Sequence, residues 1–227
     1  MDKLVVLSGA GVSQESGLHT FRDQGGLWEN HSIEEVATPQ AFEKNPEKVL
    51  NFYNQRRRQL LESKPNEAHQ YIAALEQYFD VTVITQNVDN FHEQAGSSNV
   101  MHLHGELLKS KSVKNSDKIY DQTEDIKLGD RDKNGDQLRP HVVWFGEAVP
   151  MIPVAMEICK KADIALVIGT SLQVYPAAGL INDVPKNTKI YLIDPDPQVQ
   201  AAENLEIITD KAVSGMKKLY NQLIQSE

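Results

Sequence analysis

The sequence predicts an α/β fold in which a doubly wound parallel sheet carries a smaller inserted lobe. Short apolar runs, typical of strands buried on both faces, alternate with helical segments, which indicates a parallel sheet covered by helices. Polar residues follow several of these runs, at what would be the ligand-binding edge of such a sheet. Between Gly105 and Arg139 the composition turns polar, which indicates an excursion from the sheet.

Composition excludes several classes of protein. The 227 residues are 40% apolar, enough for a substantial core, and no apolar run approaches the length that spans a membrane. The chain enters a strand directly after Met1-Asp2 rather than an apolar leader, so we expect a cytoplasmic protein with no membrane partner. A net charge of −9 argues against nucleic-acid binding. The single cysteine, Cys159, excludes an intramolecular disulfide and a multi-cysteine zinc site.

The first element is an apolar strand, Leu4–Leu7, that runs into a Gly9-Ala10-Gly11 turn and then a helix. The glycines would let the backbone approach a pyrophosphate, whose charge the N–H groups of the turn could receive. The dinucleotide motif G-x-G-x-x-G fails at Gln14, so a dehydrogenase-type site is a poor match. An ordinary glycine-rich turn is the alternative.

The segment from His19 to Trp28 lacks helical or strand periodicity and predicts a mobile loop over a site. Arg22 could donate two hydrogen bonds to a phosphate, while Phe21 and Trp28 could exclude water.

A longer helix is predicted from Pro46 to about Leu61, after a capping-box spacing at Ser32–Glu35. Four of its residues share one face: Val49, Tyr53, Arg56 and Leu60. The phenol of Tyr53 and the guanidinium of Arg56, one turn apart, could bind a carboxylate. The alternative is a tyrosine that only packs and an arginine that is only solvated.

A second helix, Asn66–Tyr78, precedes a strand at Val81–Thr85, which is followed by Gln86-Asn87-Val88-Asp89. This polar cluster would lie at the ligand edge of the sheet, although it could merely cap the short helix predicted from Asn90 to Ala95. The next strand, Val100–Gly105, ends in His104, whose imidazole could act as a general base. A structural histidine is the alternative.

Within the polar excursion, Lys109–Gln137, the positions of Asp130, Asp132 and Asn134 match the front half of a calcium-binding loop. The twelfth position, where a glutamate should stand, is His141. An Asn-Gly turn between two short strands needs no metal and is the alternative.

The remaining predicted elements complete the sheet and its cover. Gly169-Thr170-Ser171 after one strand suits a phosphate or a ribose, and Asp194 after the next could accept hydrogen bonds from ribose hydroxyls. In chain order these elements are a strand with aromatics at Pro140–Glu147, a helix at Met156–Ala162, a strand at Ile164–Ile168, a helix at Pro176–Asn182, strands at Lys189–Ile193 and Leu205–Ile208, and a helix at Ala212–Ile224.

Taken together, six motifs in order make the chain resemble a sirtuin, an NAD-dependent protein-lysine deacylase, over nearly its full length. The motifs are Gly9–Leu18, Thr20–Arg22, Thr85–His92, His104-Gly105, Arg139–Glu147 and Gly169–Ser171. The resemblance implies a Rossmann-like domain and a smaller lobe, with NAD and an acylated lysine meeting between them. We place the large domain at 1–27, 63–104 and 139–227, and the small lobe at 28–62 and 105–138.

The resemblance also implies roles for individual residues. His104 would be the general base, Asn87 and Asp89 would hold nicotinamide and belong to the catalytic set, and Gln86 would contact the ribose. The acyl oxygen would attack the ribose as nicotinamide leaves, giving free lysine and O-acyl-ADP-ribose. The residues expected to bind the co-substrate are Gly9, Ala10, Gly11, Ser16, Gly17, Phe21, Arg22, Trp28, Gln86, Asn87, Asp89, Gly169, Thr170, Ser171, Asp194 and Ala212.

Substrate contacts follow from the same resemblance. The segment Val143, Trp144, Phe145, Gly146 and Glu147 would pair with the substrate peptide as an added strand. Tyr53 and Arg56 stand where sirtuins that prefer acidic acyl groups carry a Tyr-x-x-Arg pair, which implies succinyl- or malonyl-lysine as a substrate, with acetyl-lysine also accepted.

One feature departs from the family pattern. Sirtuins usually carry two cysteine pairs that form a zinc ribbon between the His-Gly and Arg-Pro motifs, and here there are none. Ser112 and Asn115 take the place of the first pair. We therefore expect a monomeric, zinc-independent enzyme whose small lobe is a helical segment plus a ribbon remnant held by strand pairing and small apolar contacts. An NAD hydrolase or ADP-ribosyltransferase of the same fold, and a non-catalytic NAD-binding module, are the alternatives.

Overall fold

The computed structural model describes residues 1–18, 31–114, 118–170, 175–199 and 202–225. Its main sheet has six parallel strands, β1 (Lys3–Ser8), β2 (Asp80–Thr85), β3 (Val100–His102), β7 (Ile164–Ile168), β8 (Lys189–Ile193) and β9 (Leu205–Ile208), in the order β3-β2-β1-β7-β8-β9. A second sheet is antiparallel, with β4 (Gly105–Ser112) between β5 (Ile119–Asp121) and β6 (Leu138–Val142). The predicted fold class is confirmed.

Seven α-helices lie in the described ranges: α1 (Ile33–Val36), α2 (Pro39–Lys44), α3 (Pro46–Glu62), α4 (Glu67–Ala74), α5 (Phe91–Gln94), α6 (Ile152–Cys159) and α7 (Ala212–Gln225). The capping box at Ser32 is present, and the side chain of Asn45 accepts the N–H of Lys48 in the first turn of α3, whose first residue is a proline. Within the described ranges, no helix is long and apolar enough to cross a membrane.

The main sheet is buried on both faces because each strand alternates two sets of apolar side chains. Leu4 and Val6 point into a core formed with α4 and α7, while Val5 and Leu7 point into a second core formed with α6 and the 3₁₀ segment Ala177–Asp183. A third core lies under α1–α3 and the second sheet, and includes Tyr53, Leu107 and Trp144.

Several predicted elements are corrected by the structure. Val100–Gly105 is not one strand: β3 ends at His102, and Gly105, with φ +79°, begins β4 in the other sheet. A Cβ at Gly105 would lie 2.1 Å from the His141 carbonyl oxygen, which explains the glycine. His104 therefore lies in the bend between the two sheets, not at a strand end.

Other corrections concern helices and the strand near the substrate segment. The turn after β1 leads into 3₁₀ turns at Ala10–Val12 and Gln14–Ser16 rather than an α-helix, and the helix predicted from Pro176 is 3₁₀. The helix around Cys159 ends at that residue, and α4 ends at Ala74 before a 3₁₀ turn. The strand predicted over Pro140–Glu147 ends at Val142.

Within the proposed small lobe, buried polar side chains join α3 to the second sheet and to the segment after β5. Asn54, 3% exposed, donates from Nδ2 to the Ile126 carbonyl at 2.8 Å and accepts the Ile126 N–H at 2.9 Å. Its Oδ1 also accepts from Nη1 of the fully buried Arg57 at 2.7 Å, and Arg57 Nε donates to the Leu107 carbonyl at 3.1 Å. Strand pairing and apolar contacts alone, as the sequence suggested, do not describe this lobe.

The acidic loop folds as a turn. Asp132 Oδ1 accepts the N–H groups of Asn134 and Asp136 at 2.8 and 3.0 Å, Gly135 takes φ +85°, and Arg131 bridges to Gln137. Asp130 accepts the Lys127 N–H at 2.7 Å. Because these carboxylates are taken by backbone donors, the geometry favours the Asn-Gly turn and gives calcium no support. Ser112 is buried at the end of β4, and Asn115 lies outside the described residues.

Candidate active site

The site lies where the strand order of the main sheet changes direction, between β1 and β7. Successive chain connections run outward from this point on both sides, and α/β sheets bind ligands at such switch points. The loop after β1 is locked to the loop after β7, with Gly11 N–H donating to the Gly169 carbonyl at 2.8 Å. Gly169 has φ +64°, and a Cβ there would lie 2.2 Å from the nitrogen of Val12. These glycines therefore serve the contact between the two loops.

The turn after β1 does not present an open row of N–H groups. Four of these groups already donate to backbone carbonyls: Gly9 to Ile168, Gly11 to Gly169, Val12 to Gly9 and Ser13 to Ala10. The expectation that this turn receives a pyrophosphate through these groups is therefore wrong for all four.

His104 is held in one orientation by a backbone carbonyl. Its Nδ1 lies 3.0 Å from the carbonyl oxygen of Gln86, which can only accept, so Nδ1 carries the proton and Nε2 has the lone pair. Burial lowers the pKa of His104, and the hydrogen bond to Gln86 only partly opposes it. The ring is thus neutral near neutral pH, with a basic nitrogen pointing away from the Gln86 carbonyl.

The polar residues after β2 form a buried network around Ser13. The Ser13 hydroxyl donates to Asp89 Oδ2 at 3.0 Å and accepts from Asn87 Nδ2 at 3.1 Å. Asp89 also accepts the N–H of Phe91, the first residue of α5, at 3.2 Å, so it links the network to the start of that helix. Burial raises the pKa of Asp89, while the Phe91 and Ser13 hydrogen bonds oppose the rise.

Two buried histidines lie behind this network. His69 accepts the Asn66 N–H on Nδ1, and its Nε2 lies 3.4 Å from the Ser13 hydroxyl. His92 Nε2 lies 2.9 Å from the Ser8 hydroxyl, which donates to Thr85. Burial lowers the pKa of His69 to about 4 and that of His92 well below its usual value, so both rings are neutral.

A second cluster surrounds Tyr53 on the buried face of α3. The Trp144 indole N–H donates to the Tyr53 oxygen at 3.0 Å, and Arg56, 9% exposed, lies over the Phe52 ring at 5.7 Å. Burial raises the pKa of Tyr53, although the Trp144 hydrogen bond and the charges of Arg56 and Arg139 oppose it. The phenol therefore stays protonated and keeps its donor hydrogen.

The segment 143–147 is a turn fastened to the rest of the chain. Glu147 accepts from Arg139 Nη1 and Nη2 at 2.8 and 2.9 Å and from the Trp144 N–H at 2.7 Å, while the Arg139 guanidinium lies 3.3 Å from the centre of the Trp144 ring. Burial alone would raise the pKa of Glu147, but these bonds lower it overall. Its carboxylate is thus committed within the chain. The Val143 N–H donates to the backbone carbonyl of His104, and the Phe145 N–H donates to the backbone carbonyl of Ala37.

The remaining predicted residues are distributed around the switch point. Gln86 Nε2 donates to Thr170 Oγ1 at 3.1 Å, which joins the ends of β2 and β7 across β1. Asp194, buried after β8, accepts the Asp196 N–H at 2.8 Å. Ser16 accepts from Asn66 Nδ2 at 3.0 Å. Ala212 begins α7, where Glu15 accepts the Val213 N–H at 2.9 Å. Phe21, Arg22, Trp28 and Ser171 lie outside the described residues.

Sequence reasoning missed Ser13, His69 and Arg139 as parts of these networks. Ser13 lies inside a motif that was valued for its glycines, and its neighbours in space are 56 and 76 residues away. The one signal available was that Asn66, the first residue of a predicted helix, stands three residues before His69, the spacing of a reciprocal cap.

The chain is thus a doubly wound α/β protein with a neutral, oriented histidine and a buried amide-carboxylate network at the switch point. The chain matches the Sir2 family model over residues 9–176. It is 52% identical to the NAD-dependent protein deacylase of Helicobacter pylori and 50% identical to that of Bacteroides thetaiotaomicron, each alignment covering 99% of both chains.

Solved structures agree with this match. A Sir2 homologue–NAD complex superposes with a TM-score of 0.88 at 40% identity, covering 99% of this chain and 90% of the other. A Sir2 mutant in complex with a deacetylated p53 peptide and 3′-O-acetyl ADP-ribose gives a TM-score of 0.83 at 29% identity, covering 96% of this chain and 92% of the other. The chain belongs to the Sir2 family.

Proposed function

We propose that this chain removes acyl groups from protein lysines in an NAD-dependent reaction. The observation that carries the proposal is the His104 ring, neutral and fixed by the Gln86 carbonyl, beside the Asn87, Ser13 and Asp89 network. The relatives named NAD-dependent protein deacylase and the solved complexes with NAD and with acetyl ADP-ribose support the same reaction.

The acyl oxygen of the substrate would bond to a ribose carbon of NAD as the bond from that carbon to nicotinamide breaks. One water would then add to the acyl carbon as its C–N bond to lysine breaks, giving free lysine and O-acyl-ADP-ribose. His104 Nε2 takes a proton from a ribose hydroxyl, which the lowered pKa of the ring allows because Nε2 enters the reaction unprotonated. The Gln86 carbonyl stabilises the resulting imidazolium through Nδ1–H, as an acceptor stabilises the charged form.

The Asn87–Asp89 network fits a carboxamide such as that of nicotinamide. Asn87 is 6% exposed and Asp89 is 7% exposed, and together they offer donors and acceptors in a site that excludes bulk water. Ser13 fixes both side chains, since it bonds to each of them. Asp194 and the Gln86–Thr170 pair are assigned to the ribose and adenosine side. The division into a large domain and a small lobe remains a proposal, with β6 paired to the small sheet.

We also propose that the acyl pocket favours succinyl- and malonyl-lysine and accepts acetyl-lysine. Tyr53 and Arg56 lie on one buried face of α3 and place a protonated phenol and a cation together. Such a pair suits a carboxylate, since Arg offers charge and two donors while Tyr offers one more.

Trp144 supports this role by orienting the phenol. Its indole N–H occupies one lone pair of the Tyr53 oxygen, so the tyrosine hydrogen is directed away from the indole. A phenol that accepts one hydrogen bond is also a better donor of the next. The neighbouring turn would pair with the substrate peptide through carbonyls and Gly146, because several of its N–H groups donate within the chain.

The test of acyl preference compares kcat/KM for one peptide carrying succinyl- or acetyl-lysine. In Arg56→Met we expect the succinyl value to fall by about 100-fold while the acetyl value changes little, since a charge-assisted hydrogen-bond pair is lost. Tyr53→Phe and Trp144→Phe should lower the succinyl value less. Arg58→Met is the matched control, because Arg58 lies on the exposed face of the same helix. Equal loss for both acyl groups in Arg56→Met would contradict the selector.

A further inference from the structure

A second histidine, His102, lies beside the site, and each of its ring nitrogens lies within hydrogen-bond distance of an oxygen atom. His102 Nδ1 is 2.9 Å from the carbonyl oxygen of Asn87, and its Nε2 is 2.7 Å from Glu93 Oε1 on α5. Its side chain is 7% exposed. The structure thus places two imidazoles, at positions 102 and 104, against the consecutive carbonyls of Asn87 and Gln86.

The two rings differ in what faces Nε2. Both nitrogens of His102 face oxygens that accept and cannot donate, a carbonyl and a carboxylate, so both nitrogens need a proton. For His104 the acceptor faces Nδ1, and within the described part of the chain no group is hydrogen-bonded to Nε2, so Nε2 keeps its lone pair. The same side chain is therefore set up as a fixed cation at one position and as a neutral base two residues later.

We propose that His102, charged by Glu93, is a positioning residue that holds the Gln86–Asn87 turn so that His104 and the Asn87 amide keep their working geometry. The proposal rests on the deacylase function stated above. It gives His102 no contact with substrate. The ion pair acts through the Asn87 carbonyl, which lies one peptide from the carbonyl that orients the base.

The charges around His102 are consistent with this assignment. Glu93 on α5 and Glu106 on β4 both face the ring and favour its charged form, and together with two hydrogen bonds they overcome burial, so the pKa of His102 is raised. The neighbouring His92 is neutral, and Lys109 is paired with Glu106 at 2.8 Å. The His102 charge in turn opposes the effect of burial on the Asp89 pKa.

The first test is the protonation state of the wild-type protein, read by nitrogen NMR of the histidine rings near neutral pH. We expect both nitrogens of His102 to give protonated shifts, whereas His104 keeps one unprotonated nitrogen. The spectra are recorded with a chelator, because Glu93, His102 and Glu106 bring three potential ligand atoms within 4.8 Å of one another. An unprotonated nitrogen on His102 would overturn the assignment.

The second test is kinetic and uses folded variants, verified by their thermal unfolding. His102→Phe should lower kcat by about 10- to 100-fold, as expected for a misplaced catalytic group, and leave KM for the acyl peptide unchanged because the α3 cluster is intact. Glu93→Gln should lower kcat much less, since the glutamine amide can donate to His102 Nε2 and so keep the His102 Nδ1–H donating to the Asn87 carbonyl. Glu157→Gln, which breaks the exposed 2.6 Å pair with Lys160, is the control.

The outcomes separate the two proposals. A folded His102→Phe that keeps the wild-type kcat would show that His102 does not position the site. A wild-type protein that releases no acyl group would remove the deacylase function, while the nitrogen spectrum would still decide the charge of His102.

Discussion

Replacing Asn54 by alanine tests how a lobe without zinc-ribbon cysteines stays folded. Asn54 Oδ1 and Nδ2 bond to both backbone groups of Ile126 and to Arg57 Nη1, at 2.7 to 2.9 Å. Asparagine at position 54 therefore joins α3 to the segment that follows β5. Alanine would leave a buried N–H, a buried carbonyl and part of a buried guanidinium without these partners.

The magnitude follows from the number of groups left unsatisfied. Each buried unsatisfied polar group costs about 1–3 kcal/mol, and more when it is charged, so three groups imply a loss of about 3–5 kcal/mol if water enters the vacated space. A protein of this size is stable by roughly 5–15 kcal/mol. The melting temperature should fall by about 10 °C or more.

The assay is urea and thermal unfolding of the wild type, Asn54→Ala, Asn54→Asp and Asn51→Ala. Asn51 lies on the exposed side of the same helix, so Asn51→Ala should change stability by less than about 0.5 kcal/mol. Asn54→Asp keeps the acceptor for Ile126 and Arg57 but loses the donor, so its stability should lie between that of the wild type and that of Asn54→Ala. A chelator should leave the wild-type melting temperature unchanged. Stability of Asn54→Ala equal to that of Asn51→Ala would show that the Asn54 hydrogen bonds do not hold these segments together, and stoichiometric zinc in the purified protein would show that the fold is not metal-free.

Three further predictions concern the site. The pKa of His69 is about 4 in the folded state and about 6.5 in the unfolded chain, so the unfolded chain binds the proton first as the pH falls. His69 should therefore lower the free energy of unfolding by about 3 kcal/mol between about pH 6.5 and pH 4. Urea titrations that give His69→Gln the same dependence of stability on pH as the wild type would contradict this. Gly169→Ala should abolish NAD binding in calorimetry or prevent folding, since its Cβ would meet Val12; a folded variant with wild-type affinity would contradict the interlock. Glu147→Ala should raise KM for the acyl peptide with little change in the KM for NAD, because it frees Arg139 and the Trp144 turn; steady-state kinetics measures both, and an unchanged peptide KM would contradict it.

The sheet could be predicted from sequence because its strands are short apolar runs closed by polar residues. Leu4–Leu7, Val81–Thr85 and Ile164–Ile168 each lie within an observed strand. The bend at His104 could not be predicted, because it depends on Gly105 meeting the His141 carbonyl, a contact between distant parts of the chain. The same holds for the glycine loop, because the N–H groups of Gly9 and Gly11 donate to the distant carbonyls of Ile168 and Gly169.

The site was predicted as far as residue type and helical spacing reach. Tyr53 and Arg56 share a buried face as their spacing indicated, and Gln86 and Asn87 follow β2. What spacing could not reveal is which polar atoms pair. The contact of Trp144 with Tyr53 spans 91 residues, and that of His102 with the Asn87 carbonyl depends on a ring orientation set by Glu93.

The central claim is that the His104 site couples NAD cleavage to acyl transfer. The most direct measurement is the product stoichiometry from one succinyl-lysine peptide, followed by mass spectrometry in the wild type and in His104→Ala. We expect one nicotinamide and one O-acyl-ADP-ribose for each lysine released, and loss of turnover in the variant. Nicotinamide formed without deacylated peptide would contradict it and indicate an NAD hydrolase or a transferase of the same fold.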